Sequence, residues 1–402
     1  MDPTVVVHQI DVLLTMNPTL GEGLLGRIER AAVAFDSGGG ICWIGPSNQA
    51  PDAPERIDGS GMVGLPALVD CHTHSVWAGS RSDEWQRRLA GANYSDILEA
   101  GGGILSTVRA TRAAADEALV ALCAARLERM ARRGVGLVEI KSGYGLNAQD
   151  ERRMLRAAAK AGDRAGVEVM RTFLGAHAVP AEHRPNTEAY VDEVIAVQLP
   201  WCAPEADFID IYVDRGAFTV EQGRRVLEAG RAVGLSPRIH AEQVAFTGAA
   251  AMAAELGALS ADHLERIDEA GIEAMAAAAT IGVMLPGAML YLKDPAPPVA
   301  ALREAGVPLA VATDLNPGSS PVDDLWTCAT LACVTMGMTV EEALRGVTSV
   351  AADALGRPDR GRLRLGSEAL VLARPRAGEP IEGASLLQHL GGPDVRVVRA
   401  VN

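Results

Sequence analysis

Aromatic side chains are scarce in this sequence. Phe, Trp and Tyr together make up 4% of its 402 residues, whereas hydrophobic residues of all kinds make up 48%. Any core must therefore be filled mainly by Ala, Leu and Val. Charged residues account for 22%, and this balance is typical of a globular protein and excludes wholesale disorder. Length alone predicts two or three domains.

Paired cysteines are also missing. The six cysteines include no Cys-x-x-Cys pair and no dense spacing of the kind found in disulfide frameworks. This pattern favours a reducing compartment, in which Cys serves as a small apolar side chain. The first residues, Met1–His8, lack the basic and long apolar segments of a signal peptide. We therefore expect a cytoplasmic protein.

Positive charge is in the minority, and uninterrupted apolar runs are absent. The 37 Lys and Arg residues against 51 Asp and Glu give a formal charge of −14. This excess disfavours nucleic acid or an anionic membrane as a partner, because phosphate contacts need clustered cations. The uncharged stretch 274–292 approaches the length of a membrane helix, but Pro286-Gly287 interrupts it. We predict neither a nucleic-acid partner nor a membrane span.

From about residue 65 onward, short apolar runs alternate with longer segments of helical period. Such alternation indicates βαβ units with parallel strands, and eight units fill a (β/α)8 TIM-type barrel, an α/β fold. An open doubly wound sheet is the alternative, but no Gly-x-Gly-x-x-Gly follows a strand in the required context. The eight predicted strands are Leu65–Val69, Gly136–Lys141, Val167–Leu174, Phe208–Val213, Ser236–His240, Ala258–Ala261, Thr280–Leu285 and Pro308–Thr313.

Both ends of the chain have β character. Thr4–His8 is β-branched, and Asp36–Gly40 has the composition of a hairpin turn. In the tail, strands are predicted over Gly361–Gly366, Glu368–Leu372 and Val395–Val398. We expect the two ends to pair into one small composite β-sandwich domain. The predicted division is 1–64 and 357–402 for this composite domain and 65–356 for the barrel.

Histidine and aspartate collect where the predicted barrel strands end. His72 and His74 follow the first strand two residues apart, so both imidazoles point the same way from an extended segment. His240 ends the fifth strand, and Asp314 follows the eighth. Because the carboxyl ends of barrel strands meet on one face, these side chains are expected to converge. Three imidazoles and one carboxylate suit Zn²⁺ or Fe²⁺ with an open position for water, which indicates metal-assisted hydrolysis.

Longer motifs surround these residues. The run 64–74, Gly-Leu-Pro-Ala-Leu-Val-Asp-Cys-His-Thr-His, together with His240 and Asp314, resembles the amidohydrolase superfamily. Further stretches narrow the resemblance to the imidazolonepropionase family and extend it from about residue 62 to at least 356. These stretches are Ala78–Arg81, Gly101–Val108, Glu139–Leu146, Thr172–His177 and Asp314–Ser320.

The resemblance implies an activity, a cofactor and an assembly state. The activity is hydrolysis of the small anionic imidazolone 4-imidazolone-5-propanoate to N-formimidoyl-L-glutamate in histidine degradation. One Zn²⁺ or Fe²⁺/Fe³⁺ ion is implied, bound by His72, His74, His240 and Asp314, and the protein is expected to be a homodimer. The family's substrate-contacting positions match Arg81, Tyr94, Tyr144, His177, Gln243, His263 and Asn316, with Gly318 and Ser319 on the product side.

The expected mechanism is attack of metal-activated water on the ring carbonyl. The metal or His177 polarises that carbonyl, and His263 or Asp314 accepts the proton from water and delivers it to the leaving nitrogen. The guanidinium of Arg81 suits the propionate of the substrate, and Tyr94 or Tyr144 adds a hydroxyl donor. Gln243 stands where some relatives have Glu, so the ring tautomer bound here stays open.

Two other functions compete with this one. Another cyclic amidohydrolase or an aromatic deaminase would keep the metal, but Arg81 with Tyr144 favours an anionic substrate over a purine or pyrimidine. A non-catalytic scaffold on the same barrel would tend to lose metal ligands, and all four are present. In a binuclear relative, a carbamylated Lys after the fourth strand bridges two metal ions. No Lys follows the fourth strand here, so one metal ion is predicted. Lys141 lies on the second strand, where a supporting role is expected.

Overall fold

The structure is a computed structural model that describes residues 2–91, 102–183 and 186–399. By the clustering of its internal contacts, the chain divides into two compact units. The first comprises Met1–Cys71, Met130–Leu137 and Asp324–Asn402, and the second comprises His72–Arg129 and Val138–Asp323. The predicted boundaries at residues 64 and 356 remain a prediction. In the described part of the chain, no helix combines the length and the apolar character that crossing a membrane requires.

Segments from both ends of the chain form one seven-stranded sheet. Its strands are β1 (Pro3–Leu14), β2 (Arg27–Asp36), β3 (Ile41–Pro46), β4 (Glu55–Asp58), β5 (Val63–Pro66), β14 (Leu370–Arg374) and β15 (Asp394–Val398). Their order is β15-β14-β5-β1-β2-β3, with β4 paired to β1. Apolar side chains of this sheet, including Val7, Phe35 and Leu372, belong to one buried cluster. The predicted pairing of the two termini is therefore confirmed.

Two local features of this sheet test the sequence interpretation. The turn between β2 and β3 has the predicted hairpin chemistry, because a side-chain oxygen of Asp36 accepts the backbone N–H groups of Gly38 at 2.9 Å and Gly40 at 3.2 Å. The strand predicted over Gly361–Gly366 is wrong. Both of these glycines have positive φ, 63° and 86°, a backbone conformation that interrupts a strand ladder.

The second sheet is the predicted barrel. Its eight strands are β6 (Leu68–Asp70), β7 (Val135–Lys141), β8 (Glu168–Ala176), β9 (Phe208–Val213), β10 (Ser236–Ala241), β11 (Ser260–His263), β12 (Ile281–Met284) and β13 (Leu309–Val311). They lie side by side in chain order, and the pairs from β8 to β13 are parallel. A parallel bridge between Thr73 and Leu315, just beyond β6 and β13, brings the first and last strand ends together.

The first predicted barrel strand, Leu65–Val69, needs correction. Its first half belongs to β5, where Leu65 and Pro66 pair with β14 in the seven-stranded sheet. Only Leu68 and Val69 lie in the barrel strand β6. The run is continuously apolar because both strands are buried, so hydrophobicity alone gave no sign of the change of sheet at Ala67.

Helices follow most barrel strands, as predicted. Helix α4 (Ala148–Ala165) illustrates their local signals. At its start, Oδ1 of Asn147 accepts the N–H of Asp150 at 2.9 Å, and at its end Gly166 adopts the left-handed conformation. The helices are α1 (Ser82–Leu89), α2 (Ile104–Ala113), α3 (Asp116–Arg132), α4 (Ala148–Ala165), α5 (Thr187–Glu193), α6 (Leu199–Cys202), α7 (Val220–Ala232), α8 (Ala249–Glu255), α9 (Glu269–Ala278), α10 (Pro286–Leu292), α11 (Val299–Glu304), α12 (Leu325–Met336), α13 (Val340–Gly346), α14 (Ser349–Ala354) and α15 (Gly383–Leu387).

Candidate active site

Four side chains converge at the carboxyl ends of β6, β10 and β13, and we call them the ligand cluster: His72, His74, His240 and Asp314. Oδ1 of Asp314 lies 3.4 Å from Nε2 of His72 and 3.4 Å from Nε2 of His74. Nε2 of His240 lies 3.3 Å from Nε2 of His74. Four ligand atoms about 2.0–2.1 Å from a tetrahedral ion are separated by about 3.3–3.4 Å, so these spacings fit a single metal ion.

Hydrogen bonds to Nδ1 of two histidine rings of the ligand cluster also support the binding of a metal ion. Nδ1 of His72 lies 2.6 Å from Oδ2 of Asp262, and Nδ1 of His240 lies 3.1 Å from Oδ1 of Asp210. These carboxylates hold the proton on Nδ1 and leave Nε2 free as a metal ligand. Nε2 of His72 is buried without a hydrogen-bond partner among the described residues. A buried polar atom of this kind is costly unless a ligand satisfies it.

The protonation states suit a cation. Burial, assisted by the charge of Lys141, lowers the pKa of His72 well below its usual value, and burial likewise lowers the pKa of His74. Both rings are therefore neutral, which is the form that binds metals. Burial raises the pKa of Asp314 to about 7. A positive ion beside this carboxyl group would favour its charged form.

Below the ligand cluster lies a buried set of charges that we call the ionic network: Glu139, Lys141, Asp210, Arg238 and Asp262. Nζ of Lys141 lies 2.8 Å from Asp210, 2.9 Å from Glu139 and 3.8 Å from Asp262. Arg238 also reaches Asp262, at 3.4 Å. Burial lowers the pKa of Lys141, but the charges of Asp210 and Glu139 outweigh it, so the net shift is upward and the amine stays cationic. Lys141 thus has the supporting position expected for it.

Two residues of the site have strained backbones. Asp314 has φ of 50° and His263 has φ of 84°. Non-glycine residues rarely adopt this region, and each such residue costs of the order of 1–3 kcal/mol. Strain of this kind persists where the surrounding structure holds a side chain in a required direction. Here it orients one ligand of the cluster and one candidate proton carrier.

The ligand cluster opens into a cavity of about 210 Å³. Of the candidate site residues, His74, Arg81, Tyr144, His177, His240, Gln243, His263, Asp314, Asn316, Gly318 and Ser319 all line it. His72 is fully buried behind this wall. Tyr94 lies outside the described residues. Sequence reasoning missed Glu84, Arg88 and Tyr212, which also line the cavity.

His177 and Tyr144 form one wall of the cavity. The ring of His177 stacks on His74, with centroids 4.8 Å apart, and lies 5.5 Å from Tyr144. Burial lowers the pKa of His177 to about 3, so the ring is neutral. Its Nδ1 donates to the carbonyl of Gly143 at 3.1 Å. Nε2 is then an acceptor, which suits an N–H group of a ligand and does not suit polarisation of a carbonyl.

A buried carboxylate holds the turn that carries Tyr144. Glu151, fully buried at the start of α4, accepts the backbone N–H groups of Gly143 at 2.8 Å, Gly145 at 2.7 Å and Leu146 at 2.7 Å. Three N–H donors on one carboxylate fix both the turn and the carbonyl of Gly143. Glu151 lies in the first turn of α4, and its polar character alone gave no sign in the sequence of this contact.

Gln243, which also lines the cavity, is held by a hydrogen bond. The hydroxyl of Tyr212 donates to Oε1 of Gln243 at 3.1 Å, so the amide oxygen lies on the side of Tyr212. The NH₂ group of Gln243 is then left to donate into the cavity. This arrangement favours a substrate whose ring atom facing Gln243 accepts a hydrogen bond. It therefore favours the ring tautomer in which that atom carries no proton.

Asn316 holds its own loop. Its Nδ2 donates to the carbonyl of Asp314 at 2.7 Å, and its Oδ1 accepts the N–H groups of Gly318 at 2.8 Å and Ser319 at 2.7 Å. The side chain therefore positions the Gly318–Ser319 backbone beside the cavity. The substrate contact predicted for Asn316 remains a prediction.

Three residues at the mouth of the cavity form what we call the arginine rim: Arg81, Glu84 and Arg88. Nε and Nη2 of Arg81 donate to the two carboxylate oxygens of Glu84 at 2.9 and 2.6 Å. Nη2 of Arg88 donates to the carbonyl of Gly318 at 2.8 Å. Two guanidinium groups and one carboxylate leave one net positive charge at this end of the cavity.

Residues 91–372 match the Amidohydrolase family. The chain is 49% identical over 350 residues to an imidazolonepropionase from Cupriavidus pinatubonensis, which covers 85% of this chain and 83% of that relative. It is 49% identical over 338 residues to an imidazolonepropionase from Burkholderia multivorans, which covers 83% of each. These identities extend over most of both proteins, beyond the motifs of the site.

Solved structures share the fold at much lower identity. An adenosine deaminase from Xanthomonas campestris with bound zinc has a TM-score of 0.74 at 17% identity, covering 99% of this chain and 92% of that one. An atrazine chlorohydrolase from Arthrobacter aurescens complexed with zinc has a TM-score of 0.70 at 16% identity, covering 96% and 91%. They support the barrel fold, and the sequence relatives support the narrower assignment. The chain belongs to the imidazolonepropionase family of the amidohydrolases.

Proposed function

We propose that this protein hydrolyses 4-imidazolone-5-propanoate to N-formimidoyl-L-glutamate, using one Zn or Fe ion. The reaction breaks the C–N bond of the cyclic amide, adds a water oxygen to the carbonyl carbon and transfers a proton to the leaving nitrogen. The observation that carries the proposal is the ligand cluster, which lies at the base of a cavity whose mouth holds Arg81 and Arg88. A hydrolytic centre and cations for a carboxylate thus share one cavity.

The ligand cluster would hold the ion. When bound there, Zn²⁺ or Fe²⁺ polarises a carbonyl and lowers the pKa of water from 15.7 towards about 7. Asp262 and Asp210 keep His72 and His240 in the tautomer that presents Nε2. Three imidazoles and one carboxylate suit either metal, and elemental analysis of purified protein decides between them.

The chain's own residues bind and orient the ring. Gln243 donates its NH₂ group to an acceptor of the ring, and His177 accepts a ring N–H at Nε2. Tyr144, Gly318 and Ser319 line the same cavity and face the propionate arm. Tyr94 is proposed as a further contact on the basis of the family resemblance alone.

His263 is proposed as the residue that moves the proton. Its ring lies 5.6 Å from that of His240 and 6.0 Å from that of His72, and it lines the cavity. Burial alone lowers the pKa of His263, but Glu265, 3.9 Å away, and Asp314 raise it above its usual value. An imidazole whose pKa is raised in this way can accept a proton from water and return it to the leaving nitrogen. Asp314 is the alternative carrier.

The assay that tests this function follows the absorbance of the imidazolone ring during incubation with purified, metal-loaded protein. The His263→Ala variant is expected to lose turnover while keeping its metal content, since His263 is not a ligand. His389→Ala, a histidine in the terminal region paired with Glu379 at 3.4 Å, serves as the control and should retain both. Absence of ring loss with the unchanged protein contradicts the proposal.

The competing hydrolase functions differ in substrate charge. An aromatic deaminase recognises the edge of a purine or pyrimidine base. Such a base has no carboxylate to bind the cationic arginine rim. A panel of purines and pyrimidines assayed beside the imidazolone therefore separates the two, and ammonia release from the panel alone would favour the deaminase. A non-catalytic scaffold would show neither reaction. We also propose a homodimer in the cytoplasm, and light scattering of the purified protein tests the dimer.

A further inference from the structure

A second cavity is lined by residues of helices α3, α4 and α6, and we call it the helix cavity. Its volume is about 220 Å³, close to that of the active-site cavity, and the two share no lining residue. The side chains that matter most for its chemistry are Arg152, Arg156, Lys160 and Trp201. None of these four residues has a part in the proposed hydrolysis.

Cations occupy one face of α4 where it borders the helix cavity. Arg152, Arg156 and Lys160 follow one another at intervals of four residues, a spacing that places them on the same side of the helix. Like charges at this spacing repel each other and destabilise a helix. Because the whole chain has a formal charge of −14, this row is a local reversal of its overall charge. A bound anion would remove the repulsion.

The carboxylate beside this row does not neutralise it. Oε1 of Glu205 lies 2.9 Å from Nε of Arg156 and 3.3 Å from Nη2 of Arg152. Its Oε2 also lies 3.6 Å from Arg171, so three guanidinium groups share one carboxylate. Lys160 is exposed and has no ion pair in the part of the chain that the structure describes. Positive charge therefore remains in excess at the cavity.

Arg156 presents its unused donors to solvent. Only its Nε is bonded, to Glu205, and 53% of its side chain is exposed. Nη1 and Nη2 form the outer end of the guanidinium, and neither has a protein acceptor among the described residues. Two parallel N–H groups of this kind match two oxygens of a phosphate or carboxylate.

Trp201 adds a flat apolar surface to the same cavity. Its indole is 53% exposed, in a chain that has only five tryptophans. Planar rings stack on an exposed indole, and a nucleobase gains affinity in this way whatever its sequence of polar groups. The cavity thus combines contacts for an anion with a contact for a ring.

We propose that the helix cavity binds a small phosphate monoester that carries a planar ring, which is the chemistry of a nucleoside monophosphate. Nη1 and Nη2 of Arg156 and Nζ of Lys160 donate to the phosphate oxygens, Arg152 adds its charge, and the ring lies on Trp201. A phosphate monoester carries a charge of about −1.5 to −2 at pH 7 and three acceptor oxygens. A carboxylate has a single charge and would leave part of the row unneutralised.

The first test measures binding of AMP to the metal-loaded protein by titration calorimetry in about 0.15 M salt. AMP is expected to bind with a Kd below about 1 mM, more tightly than inorganic phosphate or adenosine. Arg156→Gln should weaken AMP binding about 10- to 100-fold, the range for lost charged hydrogen bonds. Arg152 and Arg171 still hold Glu205 in this variant, so it should fold.

Arg164→Gln is the matched control, because Arg164 is an exposed cation of the same helix outside the cavity. It should change the Kd for AMP by less than about twofold. Equal losses in Arg156→Gln and Arg164→Gln would show attraction by diffuse charge and overturn the site. Failure of the parent protein to bind AMP overturns it as well.

A second substitution tests the ring contact. Trp201→Ala should weaken AMP binding about 5- to 100-fold, the range for a base that loses an aromatic stacking partner, and leave the affinity for inorganic phosphate unchanged. Circular dichroism checks that each variant folds. Equal affinities of the parent for AMP and inorganic phosphate, or AMP binding that does not respond to Trp201→Ala, overturn the proposal. No result depends on hydrolysis of the imidazolone, so this inference and the proposed function fail separately.

Discussion

The two ends of the active-site cavity are built differently. The ligand cluster lies at strand ends, is at most 3% exposed, and is joined by backbone bonds such as the 3.0 Å bond from the N–H of Asp314 to the carbonyl of His72. The arginine rim lies on α1 and the residue before it. Its contacts are the ion pair between Arg81 and Glu84 and the hydrogen bond from Arg88 to the carbonyl of Gly318, all at partly exposed side chains. One end is thus rigid and dry, and the other is adjustable and wetter.

This difference matches the tasks proposed for the two ends. Reacting atoms must be held to within a fraction of an ångström, which a buried network with satisfied hydrogen bonds achieves. Recognition of a carboxylate on a two-carbon arm tolerates small shifts and gains most of its energy from charge. We therefore expect changes at the buried end to abolish the reaction and changes towards the rim to alter its parameters.

The largest effect is expected from Asp314→Asn, which breaks the ligand cluster itself. A neutral amide binds a divalent cation poorly, so the variant should lose its metal and retain less than about one ten-thousandth of the activity. Metal content by elemental analysis and the imidazolone assay measure the two losses. A variant that keeps stoichiometric metal and turnover would exclude Asp314 as a ligand.

Removal of the central cation of the ionic network should have the next largest effect. Lys141→Met leaves the carboxylates of Glu139 and Asp210 buried without their partner, and breaking a buried pair in this way costs about 3–5 kcal/mol. Denaturant unfolding of EDTA-treated protein measures the free energy of unfolding. Lys160→Met, at an exposed position, is the control and should change it by less than about 0.5 kcal/mol. Equal effects of the two substitutions contradict the role given to the network.

The buried end of the site was also the more predictable one. His72, His74, His240 and Asp314 were predicted as metal ligands because each follows or ends a strand of a parallel barrel, and such strands present their carboxyl ends on one face. The structure brings these four side chains together. The signal for Asp210 was also present, since an aspartate between Ile209 and Ile211 in an apolar strand is a buried charge that needs a partner. Its partner, His240, was not deducible, because the pairing depends on neighbouring strand register.

The arginine rim was harder to predict from sequence than the buried end of the site. The residue types were visible, but the pairing of Arg81 with Glu84 depends on side-chain rotamers at the start of α1. The spacing of Arg81, Glu84 and Arg88 places them on one face of a helix, which is a signal that could have included Arg88 among the candidates. The switch from β5 to β6 at Ala67 escaped prediction for a related reason, since both strands are equally apolar.

Between the two ends, Glu151→Gln tests whether the Tyr144 wall needs its buried carboxylate. The amide NH₂ would face backbone N–H donors, and a loss of about 1–3 kcal/mol of stability is expected. Displacement of Tyr144 and His177 should raise KM and lower kcat together. Thermal unfolding and the imidazolone assay report the two effects, with the exposed Glu228→Gln as the matched control. Unchanged kinetics in a folded Glu151→Gln protein would show that the wall holds its shape without the carboxylate.

The smallest effect is expected from Glu265→Gln, which changes the charge beside His263 without touching the ligand cluster. In the folded protein, burial lowers the pKa of His263, and Glu265, together with Asp314 and Asp262, raises it enough to reverse the shift. Without the negative charge of Glu265, the pKa of His263 falls. If His263 must be neutral to accept the proton, the acidic limb of the kcat/KM profile moves to lower pH and the variant gains relative activity there. Glu269→Gln, at an exposed position, should leave the profile in place. A limb that does not move with Glu265 assigns the titration to another group, with Asp314 the first candidate, because burial raises its pKa to about 7.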